Sequence, residues 1–361
     1  MPQMDYFLPG EQLRIRDEWR RKAEPTHRRA RVWAPARLHF NVIDFFQMQP
    51  MIPGGGGFGF STTGVWQEVE VSLDGGGGAM PPTAQHLVRL FCELVGCDAG
   101  TVSISIPLRN RSVHSGFGSN VTFNTAVLSG LNALFGTPFS VPEIWDLLTQ
   151  NFVENADNDD THIYWGMDTG VGEACLQYGG LVWVDQYARY VGSADTAGLY
   201  VVTARGDTQK MAAERVKSFG QGGQHGIGDA DELESLQFCL DYQREYHDRV
   251  LAVLEKRMKP ALLRNDARGF LSHGWALNEV GTYLIMEGLW RVDVLRGVIR
   301  VAREKGALYA MMSSAGPSIF AITEGRAAAE EIAAALEGEF GEFYHDFAVG
   351  EAGKRMRIEL E

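Results

Sequence analysis

With 361 residues, 45% of them hydrophobic, the chain can bury a substantial core and divide into two domains or lobes. Its formal net charge of −13 argues against a nucleic-acid groove or an anionic membrane surface, and means that any phosphate it binds must be met by locally concentrated cations. Four scattered cysteines (Cys92, Cys97, Cys175, Cys239) lack histidines at zinc-finger spacing, which predicts buried free thiols rather than a metal site. A polar N-terminus and the lack of any apolar run near ~18 residues predict a soluble, cytoplasmic protein without a membrane span.

Residues 1–30 read as a charged N-terminal extension with a short helix near Gln12 to Lys22. A first core strand is expected from Arg31 into Phe40, continuing to Phe45, followed by a glycine run beginning at Gly54 and an alternating strand from Val65 to Leu73. The run Gly75 to Gly78 reads as a flexible hairpin or linker, and Thr83 to Val95 as an amphipathic helix. Next come a strand, Val102 to Ile106, and a helix, Val121 to Phe135, which Ser119 or Asn120 would cap and Gly136 with Pro138 would stop. Val141 to Gln150 predicts another helix, and Asn151 to Asp168 an acidic, irregular stretch. Strands follow at Leu181 to Val184 and Tyr200 to Thr203, and Gln221 to Asp231 forms a glycine-rich loop of lid-like size. Two long helices, Glu232 to Met258 and Trp275 to Lys305, precede Tyr309 to Thr323, a helix from Arg326 to Glu337 and a last strand near Phe347. Strands early and helices late predict an α+β, two-lobed fold, with one lobe over 31–200 and another over 201–361.

The run Ser115-Gly-Phe-Gly-Ser-Asn120 carries the chemistry. Between a strand and a helix start, glycines let the backbone approach an anion closely. The helix supplies unpaired N–H groups at its positive end. This combination suits phosphate or pyrophosphate.

Three segments in order resemble the motifs of the GHMP kinase superfamily: Ala34-Pro-Ala-Arg-Leu-His-Phe40 with Ile43-Asp44, His114-Ser-Gly-Phe-Gly-Ser119, and Met312-Ser-Ser-Ala-Gly-Pro-Ser318. The finer likeness is to a branch that is not kinase, the β-ribofuranosylaminobenzene 5′-phosphate synthases. There a Thr-Ser-Gly-Ile-Gly segment leads into a Gly-Gly strand, matched here by Thr169-Gly-Val-Gly172 and Gly179-Gly180. The resemblance spans roughly Arg31 to Thr323. It implies a ribosomal protein S5 domain 2-like N-terminal lobe joined to a ferredoxin-like C-terminal lobe. It also implies phosphoribosyl pyrophosphate as donor with Mg²⁺, an aromatic acid as acceptor, loss of carbon dioxide and pyrophosphate, and a homodimer. The sequence departs from the methanopterin branch where Met51 stands at the place of an arginine and Asn120-Val-Thr replaces Gly-Thr-Gln. These changes point away from 4-aminobenzoate and towards the C-glycoside synthases of formycin- and pyrazofurin-type pathways, whose acceptors resemble a pyrazole dicarboxylate.

Carried onto this sequence, the resemblance makes Asp44, Arg37 and His39 candidate catalytic residues. His114, Ser115, Gly116, Gly118, Ser119, Asn120, Ser313, Ser314 and Gly316 would hold the donor's phosphates, and Thr169, Gly170 and Gly172 would line the acceptor pocket. Plainer readings stand beside these: Asp44 as a turn cap, Arg37 in a surface ion pair, His39 as a satisfied core histidine. Asp157 to Asp160 with Asp168 reads as an exposed acidic loop rather than a metal site. An ATP-dependent small-molecule kinase and a non-catalytic phosphate sensor are the competing functions.

Overall fold

The computed structural model describes residues 5–49, 52–75, 80–108, 116–156, 159–212, 229–281 and 287–361. Two main sheets organise it. The first has strand order β13-β2-β3-β7-β8, with β4 also pairing β3; these are Arg357–Leu360, Arg29–Asn41, Gly57–Ser72, Leu181–Val184, Tyr190–Ala194 and Ser103–Leu108. The second runs β10-β11-β9-β12, from Tyr309–Met312, Ile319–Glu324, Leu199–Gly206 and Tyr344–Glu351, all antiparallel. Helices α5 (Asp229–Val253), α6 (Ala267–Gly274) and α7 (Val292–Glu304) intervene between β9 and β10, and α8 (Arg326–Phe340) between β11 and β12. This β-α-β-β-α-β order is the split βαβ arrangement of ferredoxin-like lobes. Helices α1 (Pro82–Val95), α2 (Ser119–Leu134), α3 (Val141–Gln150) and α4 (Val171–Tyr178) belong to the first lobe. Strand β9 spans the 200/201 position expected between lobes, and β13 returns the C-terminus to the first sheet.

Strand β2 positions the site by changing faces. Ala30, Val32 and Ala34 are buried in one core with α1 and α2, whereas Ala36, Leu38 and Phe40 join the other core with residues of the second sheet. The register with β3 shifts between Pro35 and Ala36, where Trp66 and Thr62 are the successive partners. Extra residues on one strand turn the pleat and reassign which side chains face which way. Beyond the shift the odd positions, Arg37 and His39, take over the side covered by α2 and α4. The side opposite is sealed across the lobes, with Phe40 stacked on Phe320 at 5.0 Å between ring centroids.

Several expected elements differ. The N-terminal segment has one 3-10 turn, Asp17–Trp19, instead of a helix over 12–22. It is tied down by β1 (Tyr6–Phe7) pairing with β6 (Ile163–Trp165), and by Trp19, which is buried. The irregular stretch after Asn151 contains β5 (Val153–Asn155) and β6, an antiparallel pair. The helix expected over 275–305 is interrupted, because Trp290 bridges to Ala212 and the Arg291 N–H donates to the Met211 carbonyl at 2.7 Å. All four cysteines are free, and Cys97 is only partly buried. Residues 76–78 of the second glycine run and 221–228 of the expected lid lie outside the described residues.

Candidate anion-binding site

The N-terminus of α2 is open. Its cap is Gly118, in a left-handed conformation at φ +65°, and no side chain caps the helix. Ser119 and Asn120, expected as caps, instead occupy the first two helical positions. The Ser119, Asn120 and Val121 N–H groups therefore have no acceptor among the described residues. Arg37 lies against this opening, since a Cβ added to Gly118 would come within 2.7 Å of its Nε. Arg37 Nε and Nη1 are buried and have no hydrogen-bond partner among the described residues. Three free backbone donors and a guanidinium at the positive end of a helix make an anion cradle.

Two carboxyls sit behind the arginine, near the start of α4. Asp168 Oδ1 accepts the Gly170 N–H at 3.0 Å, and Glu173 is fully buried in the helix's first turn. Burial pushes Asp168 up to about 6, opposed by the Gly170 N–H and the Arg37 charge. Glu173 is pushed well above the ordinary carboxyl range by burial, then by the neighbouring Asp168 charge. At neutral pH Glu173 is thus a neutral acid beside an ionised Asp168, the usual outcome when two carboxyls share a dry site. The exposed acidic loop expected here stops short of Asp168, which is 8% exposed.

The other motif segments converge on the same place. Ser313 is buried, and its hydroxyl donates to the Gly116 carbonyl at 2.7 Å, so it clasps the two turns together. Any Cβ on Gly116, at φ +92°, would strike the Ser313 carbonyl. The Ser314 N–H donates to the His39 carbonyl at 3.1 Å and the Gly316 N–H to the Ser313 carbonyl at 3.0 Å. His39 is buried, and burial followed by the Arg37 charge holds its imidazole well below the usual range, hence neutral. Thr169 Oγ1 accepts the Val171 N–H at 3.4 Å, and Gly170 caps α4. Gly172 faces Val121 of α2, which a Cβ there would approach to 2.5 Å. His114 and Ser115 lie outside the described residues.

Asp44 ends the β2 segment at a 3-10 turn, Phe45–Gln47. Its Oδ1 accepts the Phe46 N–H at 3.0 Å and Gln243 Nε2 at 2.6 Å. The glycine run links it to Asp168: the Asp44 N–H donates to the Gly55 carbonyl at 3.0 Å and the Gly54 N–H to the Asp168 carbonyl at 3.0 Å. Residues that sequence reasoning missed are therefore Glu173, Gln243 and the Gly54–Gly57 linker, and it placed Asp168 on the surface. Only the glycine run carried a local signal. Among the described residues no group of three or more His, Cys, Asp or Glu side chains could hold a metal ion, and no helix is long and apolar enough to cross a membrane.

Residues 292–342 match the family described as GHMP kinases C terminal. No curated protein sequence matches the chain. Among solved structures, homoserine kinase from Cytophaga hutchinsonii is similar over 93% of this chain and 99% of its own, at 17% identity and a TM-score of 0.61. L. major mevalonate kinase covers 91% and 98%, at 13% identity and 0.59. Mevalonate diphosphate decarboxylase from Enterococcus faecalis covers 93% and 100%, also at 13% and 0.59. The chain has the GHMP kinase fold, two-lobed as its order of strands and helices predicts.

Proposed function

We propose that the chain is a decarboxylating phosphoribosyltransferase, a C-glycoside synthase that joins C1 of phosphoribosyl pyrophosphate to a heteroaromatic acid of the pyrazole dicarboxylate kind. The observation that carries this reading is the convergence of the four motif segments on one open helix N-terminus, with unpartnered Arg37 donors beside it. In the reaction, the C1–O bond breaks and its electrons go to pyrophosphate. A ring carbon bearing a carboxylate bonds to C1, and the ring C–CO2⁻ bond then breaks, returning its electrons to the ring as carbon dioxide leaves. No ring proton has to be removed. The main task is to stabilise the departing diphosphate and hold the reactants in line, which suits preorganised N–H donors and a guanidinium.

Asp44 Oδ2, which carries no hydrogen bond among the described residues, is the group offered to an acceptor N–H. Mg²⁺ would travel on the diphosphate rather than in a protein cage, since the described side chains form none and Mg²⁺ needs only one or two carboxylates beside phosphate oxygens. Bound there, it would neutralise charge on the leaving group. A structurally similar protein, named MDDEF, is solved with MVAPP, AMPPCP and magnesium together.

The alternatives are transfer to 4-aminobenzoate and phosphorylation of a small metabolite by ATP. The second is favoured by the kinases among the structural neighbours and by Asp168, a buried carboxylate close to the cradle. Incubation with phosphoribosyl pyrophosphate, Mg²⁺ and a panel of pyrazole and benzoic acids should release pyrophosphate and yield a ribosylated, decarboxylated adduct by mass spectrometry. Consumption of ATP with a phosphorylated metabolite, and no such adduct, would establish the kinase instead.

A further inference from the structure

Gln243 lies in α5, 199 residues from Asp44, and is 1% exposed. Its amide makes two hydrogen bonds to the turn that ends the β2 segment. Nε2 donates to Asp44 Oδ1 at 2.6 Å, and Oε1 accepts the Phe45 N–H at 2.7 Å. The adjacent Arg244 guanidinium lies over the Phe46 ring, 5.7 Å from its centroid. Three consecutive residues of a first-lobe turn are thus gripped by one helix of the second lobe. Since the Phe46 N–H also binds Oδ1, that oxygen is occupied and its orientation settled, while Oδ2 is left without a partner among the described residues.

We propose, resting on the transferase reading of Asp44, that Gln243 is a positioning residue that aims Oδ2 at the acceptor's N–H. The chemistry requires an amide. Only a side chain that donates and accepts at once can serve both the Asp44 carboxylate and the Phe45 N–H. A carboxylate at this position would accept from Phe45 and repel Asp44. A protonated carboxyl could do both jobs, so Gln243→Glu should turn a fixed clamp into a titrating one. The charged or titratable groups on the elements packed there are Asp44 in the turn, buried Cys239 with Arg244 and His247 on α5, and the exposed Glu279 on the short helix Leu277–Val280 that packs against α5.

Four measurements on the full-length protein test this. In Gln243→Leu, kcat for pyrophosphate release should fall about 100-fold, the loss expected when a reacting group is misplaced by about 1 Å. Affinity for phosphoribosyl pyrophosphate should change by less than about threefold, because the diphosphate cradle is elsewhere. In Gln243→Glu, kcat should approach the wild-type value at acid pH and fall as pH rises through the new carboxyl's pKa, which Asp44 lifts above its ordinary ~4.3. A Gln243→Leu enzyme with near wild-type kcat, or a Gln243→Glu profile parallel to wild type, overturns the proposal. Hydrogen exchange supplies a readout independent of turnover: the Phe45 amide should exchange faster in Gln243→Leu, and unchanged protection overturns the clamp. Should the wild-type protein release no pyrophosphate with any acid, the transferase reading falls, while the exchange result still decides whether Gln243 holds the turn.

Discussion

Helices α2 and α3 follow one another in the same lobe, yet one is open at its N-terminus and the other closed. In α3, Glu143 Oε2 reaches back to the Ser140 N–H at 2.8 Å and the Ser140 hydroxyl at 2.7 Å, and its Oε1 takes Arg21 at 2.7 Å. Acceptor and charge are both supplied from within the protein. In α2 the cap is a glycine with no side chain to offer, and the nearby cation, Arg37, leaves Nε and Nη1 unpartnered. Both termini have the same orphan donors, because every α-helix does. The difference is that α3 completes itself and α2 waits for an anion from outside.

The strongest way to break this contrast is to remove the waiting cation. Arg37→Met keeps a long apolar stem under α2 but withdraws the guanidinium. Hydrogen bonds to charged groups contribute ~1.5–3 kcal/mol each, so loss of two should weaken phosphoribosyl pyrophosphate binding by about 100-fold or more. Titration calorimetry measures this directly. Binding within about threefold of wild type would mean that Arg37 is a structural partner of the buried carboxyls and not part of the cradle.

How much of this was legible in the sequence follows the range of the interaction involved. The glycine-rich turn before α2, the span of α3 over 141–150 and the strand at 181–184 all depend on residues a few positions apart, and all appear where local pattern puts them. The cap of α2 was displaced by one residue, because Gly118 can adopt φ +65° and Ser119 then falls inside the helix. Nothing local announces the change of face at Pro35 and Ala36, which arises from extra residues in the partner strand. Nor could spacing show that Asp168 is buried or that Gln243 meets Asp44, since both facts come from tertiary packing. Motif order was readable because the four segments each keep a compact signature. What their side chains do, such as Ser313 clasping Gly116, was not.

The carboxyl pair behind Arg37 sharpens the contrast from the inside. Glu173 and Asp168 both bind protons more tightly in the folded chain than when unfolded. A raised carboxyl pKa means that the native state holds the extra proton, so stability declines as pH rises from the unfolded value, ~4, through the folded one. For Asp168 that window closes at about 6, and for Glu173 it extends further. Glu173→Gln removes its share while keeping a side chain of the same shape beside Asp168. Relative to wild type, the variant should gain stability between pH 5 and pH 8, by about 1–3 kcal/mol at the upper end. Urea unfolding at the two pH values reads the gap; a gap that is the same at both would show that burial does not hold Glu173 protonated in the fold.

The smallest effect belongs to the closed helix. Glu143→Ala removes the internal acceptor from α3 and should cost about 1 kcal/mol, the usual worth of an N-terminal cap, with the Arg21 contact adding little because both side chains are partly exposed. The Ser140 N–H, then Arg21, then the Ser140 hydroxyl hold Glu143 down at about 2. A depressed carboxyl stabilises the fold above the unfolded value, ~4.3, and that support is lost as pH falls towards about 2. The difference between wild type and Glu143→Ala should therefore be constant above pH 5 and shrink in acid, the reverse of the Glu173→Gln trend. Donor binding should be unchanged throughout, because α3 has no vacancy for a diphosphate to fill. If removing Glu143 instead lets α3 take up pyrophosphate, the freed N–H groups and the freed Arg21 guanidinium together reproduce the α2 cradle, and the internal carboxylate is what keeps α3 closed.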